Sequence, residues 1–132
     1  MIRELYPGAG IGEFRLGARR DEVRRQLRGS ELTTHAYEPE NDLYLQEGLI
    51  LGYSASDTLE FVEAMEPNEV CLEGVNLFDA GLEAALRQFA LLGNSARRDG
   101  SSYYFDDLCV VLFAPEGALG SVATYKEGYY RD

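Results

Sequence analysis

Residues 42–53, DLYLQEGLILGY, decide how this chain folds. Two short apolar runs flank Glu47-Gly48, and a glycine there supplies the positive φ that a tight antiparallel turn needs, so the stretch reads as a β-hairpin. Shifted by sixty positions, it meets residues 102–113, SYYFDDLCVVLF, without a gap. Leu43 meets Tyr103, Tyr44 meets Tyr104, Leu45 meets Phe105 and Tyr53 meets Phe113. Further on, Leu59 meets Leu119 and Val62 meets Val122. The chain is expected to be a single domain of residues 1–132 containing two versions of one unit, in halves of about 10–66 and 69–126.

Each half begins with a helix. In residues 75–92, VNLFDAGLEAALRQFALL, the apolar Leu82, Ala85, Leu86 and Phe89 recur at three- and four-residue steps, which puts them on one face. Asp79 is the expected N-cap and Gly93 the expected stop. Residues 17–28 form the weaker counterpart, with Val23 and Leu27 as its apolar positions. Strands are expected at about 33–38, 42–46, 49–53, 58–64 and 69–73. In the segment 58–64, Leu59 and Val62 would also suit a helix, and the repeat decides for a strand. The Gly8, Gly10 and Gly12 string precedes a strand instead of joining a strand to a helix, so it reads as a flexible lead-in and not as a phosphate loop. The fold class is α+β: an antiparallel sheet with two helices on one face, built from two αβββ-type repeats.

Alternation assigns Leu43, Leu45, Ile50 and Gly52 to one face of the first hairpin and Tyr44, Leu49, Leu51 and Tyr53 to the other. The sixty-residue match adds Tyr103, Phe105, Val110 and Leu112 to the first set, and Tyr104, Cys109, Val111 and Phe113 to the second. Both faces are apolar, yet two helices cover only one. Large exposed apolar patches mark interaction sites, and tyrosine is favoured in them. Tyr44, Tyr53, Tyr104 and Phe113 are therefore expected at the centre of a protein-binding surface rimmed by Glu60 and Glu63. The alternatives are a homodimer through this face, or a face covered by residues 54–57 or by the C-terminal tail.

The net charge is −11 and uneven: residues 1–30 carry +3, residues 31–90 carry −12 and residues 91–132 carry −2. An acidic middle repels phosphate backbones, so nucleic acid is not an expected partner. It would attract a basic protein and speed the encounter, or serve only solubility. The six arginines from Arg15 to Arg28 are either a solvated face or partners for the acidic middle. No apolar run reaches the length of a membrane span and the N-terminus has no signal-peptide core, so a cytoplasmic protein is expected. Cys71 and Cys109 then read as unlinked thiols.

The chemistry of catalysis is missing from the pattern. His35 is the sole histidine. Neither cysteine has a histidine near it in sequence, a triad built on Ser30 or Ser101 has no visible support, zinc and calcium spacings are absent, and adjacent acids such as Asp106/Asp107 suit a solvated turn. The expectation is no enzyme, no metal and no cofactor.

Three stretches carry a resemblance. GIGEFRLGARRDEV (residues 10–23) resembles the GIG…LGMSxxEV lead of small bacterial proteins, some of them encoded beside polymorphic toxins. Arg19 and Arg20 depart from the small polar helix start usual there. LEFVEAMEPNEVCLEGVNLF (59–78) is similar to a second stretch of that group, and VATYKEGYYRD (122–132) to its aromatic tails. The duplicated layout also resembles the β-lactamase-inhibitor-protein architecture, where an open sheet face grips the partner. The resemblance implies an immunity or inhibitor role, binding and blocking a toxin, with a basic toxin as the expected partner. A small-ligand or minor enzymatic site in a pocket on the tyrosine-bearing face is the alternative.

Overall fold

The turn at residues 45–48 closes because Gly48 takes φ +68°, and a Cβ there would sit 2.4 Å from the Glu66 carbonyl oxygen. The second hairpin has a turn of the same length, 106–109, and Cys109 stands at its last position with φ +56°. Around these turns the computed structural model describes residues 2–130. The elements in chain order are β1 (Ile2–Tyr6), β2 (Gly10–Ile11), β3 (Phe14–Arg15), α1 (Arg20–Gln26), β4 (Thr33–His35), β5 (Glu38–Tyr44), β6 (Leu49–Tyr53) and β7 (Leu59–Met65). There follow β8 (Glu69–Leu72), β9 (Val75–Asn76), α2 (Leu77–Ala80), α3 (Leu82–Leu91), β10 (Arg97–Asp99), β11 (Ser102–Phe105), β12 (Val110–Phe113) and β13 (Ser121–Tyr125).

Eight strands form one antiparallel sheet in the order β10-β11-β12-β13-β7-β6-β5-β4. The α+β class with an antiparallel sheet and few helices stands as expected. Residues 59–65 are a strand, and its pairing with β13 joins the two hairpins: Ala64 faces Val122, Glu63 faces Ala123 and Val62 faces Thr124.

Two expectations about the helices and the N-terminus need correction. The helical stretch is broken: Asn76, not Asp79, accepts from the backbone amides of Phe78 and Asp79 and caps α2. Gly81 at φ +88° and extended ψ then interrupts the helix before α3 begins. Gly93, at φ +87°, follows α3 as expected. The glycine string is no flexible lead-in. Gly8 and Gly12 sit in the turns of a tight meander and Gly10 in its strand β2, where an added Cβ would lie 2.3 Å from the Phe14 carbonyl oxygen. That meander belongs to a second sheet, β3-β2-β1-β8-β9, in which β1 and β8 run parallel.

The main core joins Val23 of α1 and Leu27 at its C-terminal cap, Leu77 of α2, and Ala85 and Phe89 of α3 to Leu49, Leu51, Val62, Phe105 and Leu112 of the large sheet. Leu5, Ile11 and Phe14 of the small sheet belong to the same cluster. Phe89 stacks on Phe105 at 4.2 Å, an aromatic contact worth about 0.5–1.5 kcal/mol beyond its buried area. Alternation sends Phe61, Val111, Ala123 and Tyr125 to the opposite side, where they form a second cluster. We call the first side the core face and the second the outer face.

Candidate protein-binding surface

One row of side chains crosses all eight strands of the large sheet on the outer face. Thr33, Leu43, Ile50, Glu63, Ala123, Val111, Tyr104 and Arg97 stand opposite one another in turn. Val111 and Ala123 are sealed, whereas Leu43, Ile50 and Tyr104 are half-buried. Phe113 and Met65 flank the row on the same face and are also half-buried.

Residues 126–130 fold back over this face. The Lys126 amide donates to the Glu60 carbonyl at 2.8 Å, and the Tyr129 amide donates to the Lys126 carbonyl at 3.0 Å, closing a turn. From that turn Tyr129 stacks on Phe61 at 5.2 Å. Tyr130 points the other way and meets Tyr125 edge-on at 4.8 Å and Tyr104 at 5.4 Å. Gly52 lies beside this stack: a Cβ there would press on the Asn41 Oδ1 at 3.0 Å and the Phe61 Cβ at 3.1 Å, and would meet the Tyr129 hydroxyl in ordinary contact at 3.6 Å. Both rings remain accessible, Tyr129 at 36 % and Tyr130 at 45 % exposure. Burial pushes the Tyr125 hydroxyl up to about 12, so it is neutral at physiological pH. Tyr104 also carries the Arg97 guanidinium over its ring at 4.5 Å, and Arg97 in turn grips Asp106 with two hydrogen bonds of 2.8 and 3.0 Å.

Glu63 is the one acid in the central row. Its Oε2 accepts from the Ser121 hydroxyl at 2.7 Å. Among the described residues neither Glu63 nor Glu60 takes part in an ion pair. Burial raises the Glu63 carboxyl above the ordinary glutamate range, and the Ser121 hydrogen bond opposes that shift without cancelling it. Burial also raises the Tyr129 hydroxyl, helped by the charges of Glu60, Glu40, Glu38 and Glu63, so this side of the tail sits in an acidic field.

The four aromatic residues expected together do not come together. Tyr104 and Phe113 are on the outer face, but Tyr44 and Tyr53 lie on the core face at 2 % and 3 % exposure. The pairings give the reason. Tyr44 pairs with Leu49 across the first turn and Phe105 pairs with Val110 across the second. The hairpins therefore match at a shift of sixty-one, Tyr44 with Phe105 and Gly48 with Cys109. At the β7–β13 pair, Val62 and Val122 still match at sixty, and the β6–β7 ladder holds an irregularity at Gly52/Tyr53. A slip of one residue moves every side chain to the other side of a sheet.

Tyr53 instead helps cover a charge cluster beneath α1. Asp42 is wholly buried and accepts from Arg20 at 2.6 Å and from Arg24 at 2.7 and 2.8 Å. The Arg20 guanidinium also lies over the Tyr53 ring at 4.8 Å. Burial would raise the Asp42 carboxyl, but the hydrogen bonds and charges of the two arginines hold it below the usual range. Two of the six arginines thus pair with the acidic middle and fasten α1 to β5.

Sequence reasoning missed Phe61 on the outer face, and it offered the C-terminal tail as an alternative cover without naming Tyr129 or Tyr130. The tandem tyrosines behind Gly128 were the visible signal, and the turn that folds them back is set by a tertiary contact to Glu60. Cys71 and Cys109 are free thiols. No group of three or more His, Cys, Asp or Glu side chains that could hold a metal ion occurs among the described residues, and no helix there is long and apolar enough to cross a membrane. Comparison with protein-family models, with curated proteins and with solved structures gives no match to this chain.

Proposed function

We propose that this chain is a non-enzymatic protein-binding module, an immunity or inhibitor protein that neutralises a basic bacterial toxin in the cytoplasm. The observation that carries the reading is the outer face: Tyr104, Phe113, Tyr129, Tyr130, Ile50 and Met65 stay partly accessible around Glu63, an acid with no ion-pair partner among the described residues. Aromatic anchors in a water-excluding patch supply most of the energy of a protein interface, and an acidic field chooses a basic partner. We read the sheet as two αβββ-type repeats with α1 and α3 together on the core face. The like turns at 45–48 and 106–109, and the shared cluster of Val23, Leu27, Ala85 and Phe89, support that layout.

The test is co-expression. A toxin captured by the wild-type chain should arrest growth alone and be silenced when this chain is present. Silencing should fail with Tyr104→Ala/Phe113→Ala, and the purified complex should weaken as ionic strength rises. A chain that protects equally well with and without those two side chains contradicts the reading. Self-association through the outer face would show instead as a dimer in sedimentation that the same substitutions dissolve.

The small-ligand reading is favoured by one feature. A concavity of about 430 Å³ opens beside the tail, lined by Arg97, Asp106, Cys109, Tyr125 and Tyr130. The Arg97–Asp106 pair uses up the charge of its main cation, which favours the protein-docking reading over this one.

A further inference from the structure

We propose that Glu63 is the seat for a single cationic side chain, an arginine or lysine, delivered by the protein that docks on the outer face. This rests on the docking reading above and gives it a specific anchor. Sequence patterning placed Glu63 on the rim of the surface; the pairing places it at the centre, on β7, with Ile50 and Ala123 directly beside it and Phe61 and Met65 before and after it on the same face.

Three observations converge. First, the carboxylate is only half satisfied. Oε2 accepts from Ser121, while Oε1 accepts no hydrogen bond among the described residues, and the side chain is half-buried. A carboxylate can accept several hydrogen bonds, and a guanidinium fork fits it with two parallel ones. Second, among the described residues the charge has no ion-pair partner. The charges that raise the Tyr129 hydroxyl together with that of Glu63 belong to Glu60, Glu40 and Glu38, all acids. An isolated charge among apolar groups costs the free chain stability, and a cation arriving from outside removes that cost. Third, the tail places the Tyr129 and Tyr130 rings, at 88° to each other, on the same face, and the Glu63 charge acts on both of their hydroxyls. Ring faces beside a carboxylate suit a planar cation, which stacks as well as pairs. The Ser121 contact alone would fit a purely structural role, a tie between β7 and β13. Such a tie needs neither a charge nor a free oxygen.

The experiment has two arms. The first uses a blocked arginine, N-acetyl-arginine methylamide, as the probe and its neutral citrulline analogue as control, followed by amide shifts of the labelled protein. Ile50, Glu63, Ser121 and Ala123 should shift together and saturate with the arginine probe only. Glu63→Gln should weaken that response at least about fivefold, the loss expected for a charge-assisted pair. Shifts scattered over the acidic surface, or unchanged in Glu63→Gln, overturn the seat. The second arm measures the captured partner. Glu63→Gln should lower its affinity at least about tenfold. Full affinity in Glu63→Gln together with lost affinity in Tyr104→Ala/Phe113→Ala overturns the seat and leaves the docking face standing. Full affinity in both variants overturns the seat and the docking face alike. Glu63→Gln removes no packing, so its melting temperature, expected at or above that of the wild type, confirms that each result comes from folded protein.

Discussion

Gly48 and Cys109 hold the same position in two like turns, both with left-handed backbone, at φ +68° and +56°. Only the glycine is also pinned by a close approach: a Cβ at residue 48 would lie 2.4 Å from the Glu66 carbonyl oxygen and 2.5 Å from that of Met65. Gly48→Ala should therefore cost at least about 2 kcal/mol, through strain and clash together. Cys109→Gly relieves a left-handed cysteine at the loss of a small side chain, and should change stability by less than about 1 kcal/mol. Chemical denaturation of both variants checks the contrast, and equal losses would refute the account of these turns.

Asp42 is where the basic N-terminal segment meets the acidic middle. Its removal strands Arg20 and Arg24 beneath α1, and Asp42→Ala should cost about 3–5 kcal/mol. The Asp42 carboxyl is held below its ordinary value in the folded chain. Its stabilisation is then present above that ordinary value and is lost as pH falls through the lower folded value. Urea midpoints of wild type and Asp42→Ala, followed from neutral pH into acid, should converge at the acid end.

Glu63 predicts the opposite slope. Its carboxyl is raised in the folded chain, chiefly by burial. Its contribution is fully present below the ordinary glutamate value and is lost as pH rises through the higher folded value. Glu63→Gln should match the wild type in acid and melt at or above it near neutrality. A variant less stable than the wild type at neutral pH would make the ionised carboxylate a structural asset.

The aromatic tail predicts a modest, local effect. Tyr129 loses a stacked contact with Phe61, a tilted one with Tyr125 and an edge-on one with Tyr130 when truncated. Tyr129→Ala should cost about 0.5–1.5 kcal/mol and increase the binding of an apolar dye as Phe61 is uncovered. A loss far above that range would place the tail in the core of the fold.

The legible parts of this chain were those with a local period. The apolar face of α3, the strand at 49–53 and the turn at Gly48 follow from spacing and from glycine chemistry. The break at Gly81 was less visible, because a lone glycine is tolerated in many helices and becomes a stop only when its φ turns positive. The parallel pairing of β1 with β8 joins residues such as Arg3 and Val70, which have no sequence signal in common. Alternation sorts the two faces of the second hairpin correctly, but the shift of sixty matches them to the wrong faces of the first, because Cys109 fills the left-handed place where a glycine would mark the turn. That one-residue offset separated Tyr44 and Tyr53 from Tyr104 and Phe113. The acidic character near the outer face was visible in the charge count, whereas the central place of Glu63 emerged only from strand pairing.

The most direct measurement is the affinity of the captured partner for the wild-type chain and for Tyr104→Ala/Phe113→Ala, side by side at one ionic strength. The account predicts a loss of at least about a hundredfold, the scale of two anchor residues at the centre of an interface, with a melting temperature within a few degrees of the wild type. Equal affinity for the two chains would contradict a partner seated on the outer face.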